Sequence, residues 1–395
     1  VSQDPGVPRA QTPLPLGLLM AAAFVSGLGI RAVDPLLHLI ATDFGQGVPD
    51  AGLAVASFGL AYGLAQPVLG PLGDRLGKLR LIALSLSFYA ASCVACAVAP
   101  SLAALIAVRA VAGVAAGGMI PVAIALIGDR TAFAERQATL ARLATGFVLA
   151  NLLSGPIGGV VGDWLGWRAV FWALGGAALV VAVLIWRIVE PPEARGGGIG
   201  ATLARYAGLL RRPSARLLLV FAATEGCFAM GISPFLGAML TETYGLSYSA
   251  AGLCLGATGL GALLYTWQAR WLLRHWGERG MLTAGIGVVG WMGLAAIAPA
   301  LWVLVAAGFV GGFSLATFHG VVQARGSEML PEARATGMSA FAFSLFMGQA
   351  MGALLGSFVI GRFGYGPLFA IGSAGMLVLV ACILASFALV FPERR

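Results

Sequence analysis

The sequence predicts an all-α membrane protein: twelve transmembrane helices in two pseudo-symmetric six-helix bundles. Three observations carry this expectation. Of 395 residues, 59% are hydrophobic and only 10% charged, against about 25% charged in a soluble domain, so the chain cannot cover a water-facing surface. Apolar runs close to the ~20 residues that cross a bilayer recur along the whole length. Residues of the first half also reappear in the second at a nearly constant offset. The 57 glycines fit the same class, because small residues let membrane helices approach closely where lipid removes the hydrophobic drive to associate.

The spanning runs are read in chain order. Residues 1–13 are polar and Pro-rich and are expected to be a disordered cytoplasmic tail. The apolar run that follows is too long for a signal-peptide core and lacks a cleavage site, so it is taken as helix 1. The N-terminal bundle, 14–190, holds helices 1 to 6 at 14–40, 51–72, 81–99, 102–127, 139–161 and 169–189. A cytoplasmic linker, 191–215, contains Pro191-Pro192 and Gly196-Gly197-Gly198, then a stretch from Ile199 that suits an amphipathic helix on the membrane surface. The C-terminal bundle, 216–395, holds helices 7 to 12 at 216–240, 250–273, 281–299, 301–323, 336–360 and 366–391.

The net charge of +8 would suggest nucleic acid in a soluble protein, but the positions of the charges exclude that reading. Of the 24 Lys and Arg residues, Arg168 and Arg362 alone fall on the loops after odd-numbered helices, and Arg31 and Arg109 fall within spans. The rest lie on the other side with both tails. By the positive-inside rule both termini are expected to be cytoplasmic, in a multi-pass protein of the bacterial inner membrane. The five cysteines sit in apolar runs. Cys93 and Cys96 read as small core residues of one helix, since no second ligand pair exists.

The repeat is visible at polar and loop positions as well as apolar ones. Ile40-Ala41-Thr42-Asp43-Phe44-Gly45 aligns with Leu240-Thr241-Glu242-Thr243-Tyr244-Gly245, Gly77 with Gly277, Arg136 with Arg334, Asn151 with Gln349, and Gly166-Trp167 with Gly364-Tyr365. Parallel six-helix repeats are an architecture in which a site lies near the midplane between the halves.

After helix 2 the chain reads Gly70-Pro71-Leu72-Gly73-Asp74-Arg75-Leu76-Gly77-Lys78-Leu79-Arg80. This resembles the signature loop of the major facilitator superfamily, with Leu79 at a position that is basic there. The second half keeps a worn copy, Arg274-His275-Trp276-Gly277-Glu278-Arg279, without an Asp matching Asp74. In helix 4, Leu105, Arg109 and Gly113 resemble the motif of the superfamily's drug/proton antiporters whose Arg is tied to proton transfer. In helix 5, Gly146 and then Gly155-Pro156-x-Gly158-Gly159 resembles the antiporter motif, one residue short between Pro156 and the glycine pair. The resemblance implies a twelve-helix transporter working by alternating access. It implies a gating loop of Gly70, Asp74, Arg75, Gly77, Arg80 and Arg130, in which Asp74 latches onto Arg75, Arg130 and the N-terminus of helix 11. It also implies that helices 2, 5, 8 and 11 form the interface between halves, where the Gly–x3–Gly pairs 59/63, 155/159, 252/256 and 352/356 would pack closely, although ordinary helix packing reads equally well.

Five ionisable side chains fall well inside spans: Arg31, Asp34, Arg109, Glu225 and His319. A mid-bilayer charge costs roughly 2.5–3.5 kcal/mol on insertion scales, so each should face a partner or a cavity. They lie on helices 1, 4, 7 and 10, which the resemblance implies line a central cavity. At ~1.5 Å per residue, Arg31, Asp34 and Arg109 share one depth and Glu225, His319 and Gln323 another. Asp34 and Arg109 are therefore expected to meet. The substrate and proton cavity is assigned to these six with Asn151 and Gln349, which would bind substrate or bridge helices. His38 falls near the headgroups. Phe58, Tyr62, Phe228 and Tyr265 offer apolar contacts or plain packing.

The expected function is proton-coupled antiport exporting a small organic or drug-like molecule, with Asp34 and Glu225 as proton carriers. Asp34 is expected to give up its proton beside Arg109 and to hold one when the two part. A proton symporter or facilitator for a sugar or organic acid is the alternative. An intramembrane enzyme is more distant, since Ser314 does not face His319 well. No cofactor beyond protons, no metal, no nucleic acid and a monomer in the lipid bilayer are expected. Gly73-x3-Gly77-Lys78-Leu79 is one residue short of a phosphate-binding loop and lacks its Ser/Thr.

Overall fold

The computed structural model describes residues 14–131, 133–189, 199–330 and 333–390. The N-terminal tail and the first part of the linker lie outside the described residues. Everything described is helix or short connection. Eleven helices are long and apolar enough to cross a membrane. The twelfth span, helix 9, follows a break at Gly277, where φ is 62°, and ends as the shorter helix Gly285–Ile297. The chain is thus a multi-pass membrane protein. Its lateral surface carries Leu64, Val68, Leu179 and Val378 exposed, with Trp164, Trp302 and Trp267 near span ends, the distribution a bilayer with aromatic interfaces favours.

Three long spans are interrupted, and each interruption has a local cause. Helix 1, Leu16–Asp43, is α-helical only to Arg31, turns, and resumes through a 3-10 turn at Asp34–Leu36. Pro35 lacks the N–H that an unbroken ladder needs there. Helix 4, Leu102–Arg130, starts on a Ser101 cap bonded to the Ala104 N–H at 3.2 Å. It breaks after Gly117 and restarts at Ile120, with Pro121 in the first turn. Helix 7, Pro213–Tyr244, is α-helical to Glu225, widens into a π-turn at Gly226–Met230 and resumes at Phe235 after Pro234. Such turns free backbone carbonyls and often mark functional positions.

The halves repeat in backbone as well as sequence. Among the described residues, the six positive-φ glycines form three pairs at equivalent loops: Gly45 with Gly245, Gly77 with Gly277, Gly166 with Gly364. The sides of the bundle are distinguished here as terminal, carrying Leu16 and the linker helix Ile199–Arg211, and distal. The halves meet along helices 2 and 11 and along helices 5 and 8. On helix 2, Gly59 lies against Ala350, and Gly63 against Phe346 and Met347. Tyr62 stacks on Phe346 at 3.9 Å. Helices 5 and 8 cross with Gly155 against Gly252 and Gly159 against Tyr248. The helix 11 pair behaves differently from the expectation. Gly352 and Gly356 admit Cys227 and Phe235 of helix 7, within their own half.

Candidate functional site

The intramembrane charges turn away from lipid. Arg109 is 1% exposed, Asp34 6% and Glu225 0%. Their pairing differs in part from the depth argument. Arg109 is turned into its own bundle. Its Nη1 donates to the Gly29 carbonyl at 3.2 Å and its Nε to the Ala54 carbonyl at 3.4 Å. The guanidinium lies 4.1 Å from the centre of the Phe58 ring. It makes no ion pair with Asp34. Asp34 instead receives Nη1 of Arg31 at 3.3 Å, and its Oδ1 is sealed without a partner among the described residues.

Arg31 also reaches across to the other half. The same Nη1 approaches the Met230 carbonyl at 3.4 Å and Ser233 Oγ at 3.1 Å, groups that the widened turn and Pro234 of helix 7 present. Ser233 and Met230 were not legible as site residues, because a π-turn has no signature in an apolar run.

The second cluster forms around helix 7 and helix 10. His319 Nδ1 lies 2.9 Å from Glu225 Oε1. Glu225 Oε2 is sealed and unpartnered among the described residues. The imidazole is partly accessible, its side chain 20% exposed, and Gln323 one turn on is exposed without a described hydrogen bond. Helix 10 thus grades from sealed Ser314 and Phe318 to open Gln323 toward the terminal side. Asn151 and Gln349 do not meet. Asn151 donates to Phe147 of its own helix at 3.0 Å, and Gln349 is buried against the widened turn of helix 7. Phe58 and Tyr62 serve packing as described, Phe228 fits against Gly375 of helix 12, and Tyr265 reaches Gly320.

The distal side is closed. Helix 1 is buried from Ala32 to Leu37, and a Cβ on Gly237 would overlap the Asp34 carbonyl. Above this plug His38 Nδ1 meets Glu242 Oε1 at 2.8 Å across the halves, and Tyr365 donates to Glu242 Oε2 at 2.9 Å. Asp163 accepts the Ser249 N–H at 3.3 Å, a second cross-half tie. Glu242, Tyr365 and Asp163 were missed by sequence, because they sit at span ends where a charge or hydroxyl is ordinary. Asp43 is held within its half by Arg168 and Trp167.

On the terminal side Asp74 pairs with Lys78 at 2.9 Å, and Lys78 with Asp129 at 2.5 Å. Arg75 and Arg80 are exposed, and residues 331–332, just before helix 11 where the expected latch would end, lie outside the described residues. Gly77, at φ 86°, bends the chain so that Lys78 returns between the two carboxylates. Gly70 faces open space. In the second half Glu278, aligned with Lys78, takes Arg325 at 3.0 and 2.5 Å. Arg325 also meets Glu328 at 3.7 Å, so each half has one cation between two carboxylates, with opposite charge at the aligned positions 78 and 278. In the helix 5 motif, Gly155 and Gly159 face helix 8, and Pro156 packs on Gly256. The linker helix joins the interface: Tyr206 donates to Ser339, which donates to the Gln66 carbonyl at 2.8 Å.

A family model described as Major Facilitator Superfamily matches residues 19–300 and 218–395. A chloramphenicol resistance protein of Streptomyces lividans is 29% identical over 97% of this chain and 96% of its own length. A probable sugar efflux transporter of Helicobacter pylori is 27% identical over 87% of this chain and 88% of its own. Among solved structures, the peptide transporter POT in complex with sulfate superposes with a TM-score of 0.78 at 15% identity, over 97% of this chain and 96% of that one; at that identity the likeness concerns the fold.

Proposed function

The chain belongs to the major facilitator superfamily, a transporter rather than an enzyme, and from that premise we propose that it is a proton-coupled antiporter that exports a small organic molecule by alternating access. The arginine-rich terminal side is taken as cytoplasmic, in a bacterial inner membrane, so the closed distal side is read as the periplasmic one. The relatives named for chloramphenicol resistance and for sugar efflux support export.

The observation that carries proton coupling is the Glu225–His319 pair. A fully buried carboxylate at membrane depth has one described partner, and that partner can itself gain or lose a proton. Glu225 accepts from Nδ1–H of His319, which leaves the Nε2 lone pair for the accessible side of the ring. A proton arriving at Nε2 makes an imidazolium that Glu225 balances. A substrate N–H or O–H donor needs the same lone pair, so proton and substrate displace one another, which is antiport. Asp34 is the second proton site, exchanged when Arg31 moves with helix 7 as the halves rock.

The test is transport into proteoliposomes on an imposed pH gradient, with chloramphenicol as the first compound. Glu225→Gln and Asp34→Asn should each abolish uphill flux while the protein stays inserted. If both variants still concentrate the compound, the mechanism is wrong. Proton movement in the same direction as the compound would favour a symporter, and none would favour a facilitator.

A further inference from the structure

We infer that Arg31 is the substrate-reading residue of this site, and that its open guanidinium edge binds a planar two-oxygen acceptor, a carboxylate or a nitro group, on the transported molecule. The inference rests on the export reading above and adds the substrate class.

Arg31 is the one position between Val25 and Leu37 that is not sealed. Six buried residues lie on its distal side, and two of its three hydrogen bonds run to helix 7, so its partly exposed side chain lies between the halves. All of its described bonds use Nη1: Asp34 Oδ2, the Met230 carbonyl and Ser233 Oγ. Nε and Nη2 have no hydrogen-bond partner among the described residues, and neither is among the sealed unpartnered atoms. Those two nitrogens form one edge of the guanidinium, the fork that matches two oxygens of one planar group.

Charge points the same way. Asp34 is the carboxylate set against two cations, Arg31 in contact and Arg109 nearby, so this end of the site carries an excess positive charge. At the other end Glu225 gives an excess negative charge while His319 is neutral. Glu225 precedes Met230 by five residues, roughly 7 Å along helix 7 at ~1.5 Å per residue. The substrate is therefore dipolar: an acceptor group at Arg31 and an N–H or O–H donor at His319, spaced by about that length. A lysine at position 31 would keep the charge but lose the two-point fit.

The experiment measures labelling of Arg31 by phenylglyoxal in the purified, lipid-embedded protein, read by peptide mass spectrometry at constant ionic strength without a pH gradient. Benzoate, nitrobenzene and toluene are the probes. Benzoate or nitrobenzene should slow labelling of Arg31 at least fivefold, toluene should not, and exposed Arg205 should label at one rate throughout. Whichever oxygenated probe protects identifies the group as carboxylate or nitro. The Arg31→Lys variant should keep its fold and lose benzoate-dependent stabilisation against heat. If neither oxygenated probe protects Arg31 better than toluene, or if benzoate stabilises Arg31→Lys as well as the wild type, the inference is wrong. Because no gradient is present, failure of proton coupling would leave this result untouched.

Discussion

Placing one methyl group at the crossing of helices 5 and 8 should drive the protein out of its distal-closed form. At Gly252 a Cβ would overlap the Gly155 carbonyl and stand 3.1 Å from the Gly159 Cα. That is roughly half an ångström inside the 3.5–4.0 Å optimum for carbon pairs. The opposing atoms are backbone, so no side chain can swing aside. Forcing a methylene into a tight contact costs about 1–3 kcal/mol. On the proposed alternating access the distal ends of these helices part, so the contact belongs to the distal-closed state alone. The Gly252→Ala substitution should therefore shift the equilibrium toward the distal-open form by about 5- to 150-fold, at 1.4 kcal/mol per tenfold. Spin labels at Gln46→Cys and Thr243→Cys, exposed on the distal ends of the two halves, would report it once the five native cysteines are replaced. A longer inter-label distance gaining population is the expected result. An unchanged distribution, with the variant folded, would refute the reasoning that this crossing opens.

Other perturbations separate the remaining parts. Glu225→Ala removes one member of a buried pair and should destabilise by about 3–5 kcal/mol, whereas Glu225→Gln keeps a partner for His319 and should fall within about 1.5 kcal/mol; thermal unfolding of both variants checks this. His38→Ala should raise the distal-open population by at most about fivefold, because the partly exposed pair with Glu242 is worth about 1 kcal/mol or less. Lys78→Gln should release Asp74 and Asp129 together, and the aligned Glu278→Gln should leave Arg325 to Glu328. Each is expected to raise the distal-open to distal-closed exchange rate measured by the same labels.

Much of the fold was legible because hydropathy reports spans, and because loop glycines such as Gly77 and Gly277 sit in register with the repeat. What hydropathy does not report is a break inside a span. Arg31 to Asp34 reads as continuous helix until Pro35 is given weight, and the widened turn after Glu225 has no compositional mark. Depth counting paired Glu225 with His319, since both sit on neighbouring helices of one half. It also joined Asp34 to Arg109, and there it failed: counting gives height along a helix but not the direction a side chain takes around it. Arg109 finds the Phe58 face and two carbonyls in its own bundle, and Asp34 takes the nearer Arg31, one turn away. Lys78, four residues on and turned back by Gly77, takes Asp74, a partner the loop motif did not single out. The glycines of helix 11 show the related limit, that a Gly–x3–Gly pair announces a close approach without saying by which neighbour.

The claim that Glu225 and His319 exchange a proton for substrate is tested most directly by following protons and compound together. Wild-type protein in proteoliposomes, with chloramphenicol and zero membrane potential, should move protons opposite to the compound. It should reverse with the sign of the gradient and concentrate the compound by up to about tenfold per pH unit for each proton exchanged, since each is worth about 1.4 kcal/mol. Flux of the compound indifferent to the gradient's sign, with no proton counterflow, would contradict the account.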